Sequence, residues 1–171
     1  RDYNKPIWSA KEKRVIKIIG AVQDITNHKK LEQQLRTNQQ RYKMATQVAK
    51  AGVWDWDIVK DEFFIDPNLK VMLNFKDEDI PNKLDIWSER IYPEDKKQVM
   101  ENVKKCLNGK GNTYWDEHRM VTKEGDIRWF FARGEIIRNA DGEAIRMLGV
   151  DYDITDRKNT EIALRASENK Y

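Results

Sequence analysis

At 171 residues the chain has room for one complete domain with appendages, but not for two globular domains of roughly 150 residues each. Its 32 basic and 29 acidic side chains leave +3 and interleave along the chain, which excludes a dedicated nucleic-acid binder, and no apolar run is long enough for a transmembrane helix or a secretory segment. Apolar residues at 39%, with six Trp, six Tyr and five Phe, exclude disorder as a class; the lone Cys106 excludes an intrachain disulfide and fits a reducing, cytoplasmic setting.

The chain is organised by an internal repeat. Residues 16–42 align without gaps on residues 145–171 at a shift of 129, with ten identities in 27 positions, among them Gly20/Gly149, Asp24/Asp153, Ile25/Ile154, Thr26/Thr155, Leu35/Leu164 and Tyr42/Tyr171. Each copy reads as a strand ending in Asp-Ile-Thr followed by a charged helix. A period of that length suits tandem copies of a compact domain, not a solenoid. The chain opens on Arg1 and closes inside a helical pattern at Tyr171, as expected of a segment of a longer protein. The expected organisation is 1–26 as the end of a preceding module, 27–51 as a connecting helix, 52–155 as one full domain, and 156–171 as the start of an exit helix.

In chain order, the connecting helix carries Leu31, Leu35, Asn38, Tyr42, Ala45 and Ala49 at alternating spacings of four and three, the seam of a parallel coiled-coil dimer with Asn38 fixing register. Gly52 stands where that helix should stop. The first 52 residues hold 12 basic and 4 acidic side chains; the basic positions ring the helix and mix with Gln and Asn, so they read as a solvated surface and not as a phosphate-tracking face.

From Val53 to Ile58 Trp and Asp alternate in the period-two pattern of a half-buried strand, and 61–65 can pair with it. Asp66-Pro67 opens a helix, Asp as N-cap and Pro at the first helical position. Leu69, Met72, Leu73, Leu84, Ile86 and Trp87 mark short helical stretches, and Pro93 starts a longer helix ended by Gly109. Three strands follow at about 112–122, 126–138 and 144–155, turned at Gly125-Asp126 and Asp141-Gly142. This order is α+β with an antiparallel sheet. Both sheet faces are apolar: Ile127, Trp129 and Phe131 point one way, Phe130 and Ala132 the other, so the second face needs cover from the connecting helix or a partner chain.

These residues resemble a known family. Gly52-Val-Trp-Asp-Trp-Asp57, Tyr92-Pro-Glu-Asp95, Glu117-His-Arg119, Gly125-Asp-Ile-Arg-Trp129 and the closing Gly149-Val-Asp-Tyr-Asp-Ile-Thr155 are similar to a PAS domain with its C-terminal PAC motif, over about 45–158. The resemblance implies a five-stranded antiparallel sheet with flanking helices, preceded here by the long connecting helix. It also implies a pocket for a small ligand, and a sensory or dimerising role in bacterial histidine kinases, diguanylate cyclases and related two-component regulators. Partners would be a second copy and the neighbouring PAS and output domains, with no nucleic acid and no direct membrane contact. Pocket or core candidates are Trp54, Trp56, His118, Met120 and Phe130. Signal coupling falls to Asp153, Ile154 and Thr155, and in the preceding module to Asp24, Ile25 and Thr26.

An enzyme reading fails on inventory. Neither a nucleophile with its base nor a phosphate-binding glycine loop can be framed, and Asp55 and Asp57 read as the polar face of a strand. No metal site can be assembled from sequence. The light-sensing LOV relatives bond flavin through an Asn-Cys-Arg-Phe-Leu motif, which is absent here; Cys106 falls on one helix face with Val99 and Val103 and reads as packing. Haem-binding relatives use an axial histidine, usually helical, whereas His28 lies in the connecting helix and His118 in a strand, where a hydrogen-bonded structural histidine is the plainer reading. Flavin held without a cysteine is the lesser alternative, with Trp54, Trp56, Trp115 and Trp129 as stacking candidates or as core. Two functions compete: a sensor of an unidentified small ligand, and a ligand-free dimerisation module.

Overall fold

The computed structural model describes residues 2–168, which form two compact units, one of residues up to 43 and one from 44 onward. Tyr171, the last identity of the repeat, lies outside the described residues.

The first unit holds an antiparallel hairpin, β1 (Asp2–Ser9) and β2 (Arg14–Val22), and most of helix α1 (Thr26–Val48). β2 is exposed along its whole length. On α1 the seam residues Leu31, Leu35, Asn38, Tyr42 and Ala45 are all exposed, and Ala49 lies one residue past the helix. The helix ends at Val48 and not at Gly52; Lys50, at φ 46°, turns the chain. Gly52 instead belongs to a strand. A Cβ there would stand 2.9 Å from the backbone N and Cα of Leu69, so glycine is required for a helix to lie against the strand.

That strand, β3 (Ala51–Asp57), leads the second unit, followed by β4 (Glu62–Ile65), α2 (Pro67–Met72), a single 3₁₀ turn (Asp77–Asp79), α3 (Leu84–Ser88) and α4 (Pro93–Asn108). β5 (Thr113–Val121), β6 (Ile127–Arg138) and β7 (Ala144–Asp153) complete a five-stranded antiparallel sheet in the order β4-β3-β7-β6-β5, and α5 (Thr155–Glu168) leaves it. The fold is α+β. Asp66 caps α2 by accepting from the Asn68 N–H at 2.7 Å, and Pro93 opens α4 with Glu94 and Asp95 in its first turn.

Alternation divides the sheet as the pattern requires. Phe130, Ala132 and Ile136 of β6 face the helices, while Ile127, Trp129 and Phe131 face away. Ile65, Leu69, Leu73, Met120, Phe130 and Met147 are fully enclosed. Lys70 is equally buried, its ammonium donating to Asp77 Oδ1 (2.7 Å), Ile80 O (2.7 Å) and Asp77 O (3.2 Å). Burial of that charge is tolerable because every proton has an oxygen, and the contact ties α2 to the turn after it.

Candidate ligand pocket and exit-helix junction

Strand register builds one wall of a pocket. Trp54 of β3 pairs with Gly149, and Gly149 with Gly134, so the indole lies across two facing glycines. A Cβ on Gly149 would stand 2.1 Å from Trp54 Cζ2, and one on Gly134 2.7 Å from Cη2. The glycine pair is the slot that lets Trp54 lie flat on the sheet. Its Nε1 donates to Asp151 Oδ1 at 2.7 Å. Asp151 is fully enclosed, and burial pushes its carboxyl up to about 6, opposed by His118 and by the Trp54 hydrogen bond.

Around this slot lies a cavity of about 70 Å³, with Trp54, Trp56, Phe63, Trp87, Tyr114, His118, Met147 and Asp151 among its walls. Asp116, buried beside His118, accepts from Asn102 Nδ2 at 2.6 Å, and its other oxygen is 3.7 Å from His118 Nδ1. Among the described residues, two buried side-chain nitrogens lack a hydrogen-bond partner, Trp56 Nε1 and His118 Nδ1. Both belong to cavity walls. The hydrogen-bonded structural histidine expected from sequence is thus not what Nδ1 shows.

Of the five pocket or core candidates, Trp54, Trp56 and His118 line the cavity, whereas Met120 and Phe130 are enclosed in the core away from its walls. Asp55 and Asp57 lie on the opposite face, Asp55 paired with Arg146. Cys106 packs against the core with Val103, its Sγ 3.9 Å from Thr113 O. Sequence reasoning did not find Asp151, Asp116, Asn102, Trp87 or the role of Gly134. An acid inside the closing motif was the available signal for Asp151. No group of three or more His, Cys, Asp or Glu side chains that could hold a metal occurs among the described residues.

Two of the quoted motifs meet in space. Arg119 of β5 grips Asp95 at the start of α4 through its guanidinium (2.6 and 3.0 Å) and its backbone N–H (2.9 Å), reaches Glu94 (3.2 Å), and lies 4.2 Å over the Tyr92 ring. The paired guanidinium holds the Asp95 carboxyl below the usual carboxylate range.

At the exit, Asp153 Oδ1 accepts from the Thr155 N–H (2.9 Å) and hydroxyl (2.6 Å), so the cap is Asp153 and not Thr155 or Asp156. The Thr155 hydroxyl is engaged elsewhere, accepting from the Trp129 N–H at 3.0 Å, and the Ile154 N–H donates to Trp129 O at 2.9 Å. Arg128 stands 3.7 Å from Asp153 Oδ2. Glu117 binds the first turn of α5, to Lys158 at 2.6 Å and to Arg157, which hold its carboxyl below the ordinary range. The Lys158 ammonium lies 5.0 Å over Trp129. In the first unit Asp24 Oδ1 likewise accepts from the Thr26 N–H at 2.9 Å.

Residues 62–151, just over half of the chain, match the family model of the PAS fold. The chain belongs to the PAS-fold family. A sensory box histidine kinase/response regulator from Burkholderia thailandensis E264 is similar in structure, at 35% identity and a TM-score of 0.65 over 76% of this chain and 96% of that one. The probable diguanylate cyclase DgcE of Escherichia coli K12 is 27% identical over 146 residues, 85% of this chain and 13% of its own length. A blue-light-activated histidine kinase of Brucella ovis is 25% identical over 115 residues, 67% of this chain and 22% of its own. The chain therefore spans a small part of the length of these curated relatives. PAS domains are sensory, not catalytic, and no helix among the described residues of this PAS chain is long and apolar enough to cross a membrane.

Proposed function

We propose that residues 52–155 are the sensory and signal-relay domain of a longer cytoplasmic signalling protein of the histidine kinase or diguanylate cyclase type. It takes a small ligand into the Trp54–His118 cavity and passes the change to α5. The observation that carries this reading is the strand β5, where His118 faces the cavity while its neighbour Glu117 holds Arg157 and Lys158 of α5 from the other face. A strand that shifts to satisfy His118 moves Glu117 with it. Asp153, Ile154 and Thr155 are the rest of that coupling, through Trp129 and Arg128.

The module 1–26 is the end of a preceding PAS domain, since it repeats the closing hairpin and its Asp24-Ile25-Thr26 cap. Flavin and haem are not part of the proposal. A cavity of about 150 Å³ takes up benzene, and the 70 Å³ present is under half of that, which supports neither the three-ring isoalloxazine nor the larger haem. The cysteine motif is missing as well.

Native mass spectrometry of the purified chain, with amide exchange along 154–160, tests the reading. Uptake of one small molecule from a cell extract together with altered exchange supports it; neither uptake nor altered exchange rejects it. The second reading, a ligand-free dimerisation module, draws on the exposed Leu31, Leu35 and Tyr42. It expects light scattering to show a dimer that Leu31→Asp with Leu35→Asp dissociates.

A further inference from the structure

The geometry points to the chemical class of the ligand: a small uncharged molecule that accepts a hydrogen bond from Trp56 and makes a second one at His118, of the size of a short alcohol or amide. This rests on the cavity being the sensing site. Trp54 Nε1 is engaged with Asp151 at 2.7 Å, and the Ser88 hydroxyl with Asp85 O at 2.8 Å. Among the described residues Trp56 Nε1 and His118 Nδ1 are the buried side-chain nitrogens without a hydrogen-bond partner, and both belong to residues that line this cavity. An indole N–H can only donate, so the ligand must present an acceptor to Trp56; an imidazole nitrogen donates or accepts according to its tautomer, so a hydroxyl or amide, which can do both, is able to serve His118 Nδ1.

Size and charge narrow the class. A volume of about 70 Å³ is under half of the ~150 Å³ of an apolar cavity that takes up benzene, which suits a molecule of a few non-hydrogen atoms and not a ring system. Asp151 borders the cavity and Asp116 stands 3.7 Å from His118 Nδ1. An anion would meet these carboxylates, and a bare cation would leave Trp56 without an acceptor. The remaining wall, with Phe63, Trp87 and Met147, suits a short carbon body.

The test uses ¹⁵N-labelled protein with 2-propanol and acetamide as probes, sodium acetate near neutral pH as the anionic control and xenon as the apolar one. Each tryptophan gives its own indole N–H signal, and Trp56→Phe assigns that of Trp56. The expected result is a saturable shift of the Trp56 indole by 2-propanol or acetamide, no shift by acetate, and no change at the exposed Trp115. His118→Leu should weaken the binding about tenfold. Because that variant risks misfolding, His118→Gln, which keeps a polar amide, should bind more tightly than His118→Leu. A saturable response to xenon or acetate alone overturns the ligand class while leaving the sensing cavity in place. No response to any probe overturns both. Unweakened binding in both His118 variants also overturns the class.

Discussion

The two hairpins of this chain are the same structure in two settings. β1–β2 and β6–β7 share their closing sequence, and equivalent pairs, Asn4 with Gly20 and Gly134 with Gly149, fix their correspondence. The ladder slips at the same place in both, between Ile7 and Trp8 and between Ile137 and Arg138. Both end in an Asp that accepts from the Thr N–H two residues on. Yet β2 is exposed throughout, whereas β7 lies between β3 and β6 and carries Trp54 over Gly149. Strand, bulge and cap are therefore local properties of the repeat. The pocket appears only where β3 and β5 flank it.

The sharpest way to break this comparison is to substitute the matched glycines. Gly149→Ala puts a Cβ 2.1 Å from Trp54 and 2.6 Å from Arg133 O. It should cost about 3 kcal/mol and lower the melting temperature by roughly 6–12 °C. Gly20→Ala, on an exposed strand, should stay within about 0.5 kcal/mol. Equal effects in a thermal unfolding assay would contradict the account of the slot.

Asp151 aligns with Val22, which is exposed, so the pH response of this position belongs to the second hairpin alone. The folded carboxyl is raised from 3.8 to about 6; its contribution to stability is present below about pH 4 and lost as pH rises through about 6. Asp95 and Glu117, held low by their partners, act in the opposite direction and lose their contribution as pH falls, equally in both proteins. Relative to wild type, Asp151→Asn should therefore gain about 2–3 kcal/mol between about pH 4 and pH 7. Parallel stability curves from denaturant titration would refute this.

The caps make a gentler comparison. Asp153→Ala should cost about 1 kcal/mol and raise amide exchange in the first turn of α5. Asp24→Ala should do so only in the first turn of α1. If Asp153 couples sheet to helix, its loss in the longer protein abolishes the output response while the melting temperature moves little; an unchanged response removes the coupling role. Smallest of all, Glu117→Gln should cost about 0.5 kcal/mol, with faster exchange confined to residues 154–160. Unchanged exchange there would show that α5 is held by the cap alone.

Much of the fold was legible because it is written in short-range chemistry. The Trp-Asp alternation of β3, Asp66-Pro67, Pro93 and the two turn glycines each set backbone geometry within a few residues, and those elements stand where they were expected. Gly52 was misread for the same reason: glycine after a helix signals a stop, but this one answers Leu69, seventeen residues on. Trp54, Trp56 and His118 could be placed on an inner face by period two, yet so could Met120 and Phe130, and periodicity has no term that separates a cavity wall from a filled core.

The sequence by itself determined the repeat, the α+β order, the hairpin with its Asp-Ile-Thr cap and the inward face of each strand, because these depend on neighbours along the chain. Only the tertiary structure decided that Asp151 meets Trp54, that Arg119 meets Asp95, that Glu117 holds α5, and that Trp56 Nε1 and His118 Nδ1 are left without a hydrogen-bond partner among the described residues. Those outcomes depend on strand order and register, which bring Trp54 and Asp151 together across 97 positions, and on the volume left when the large side chains have packed.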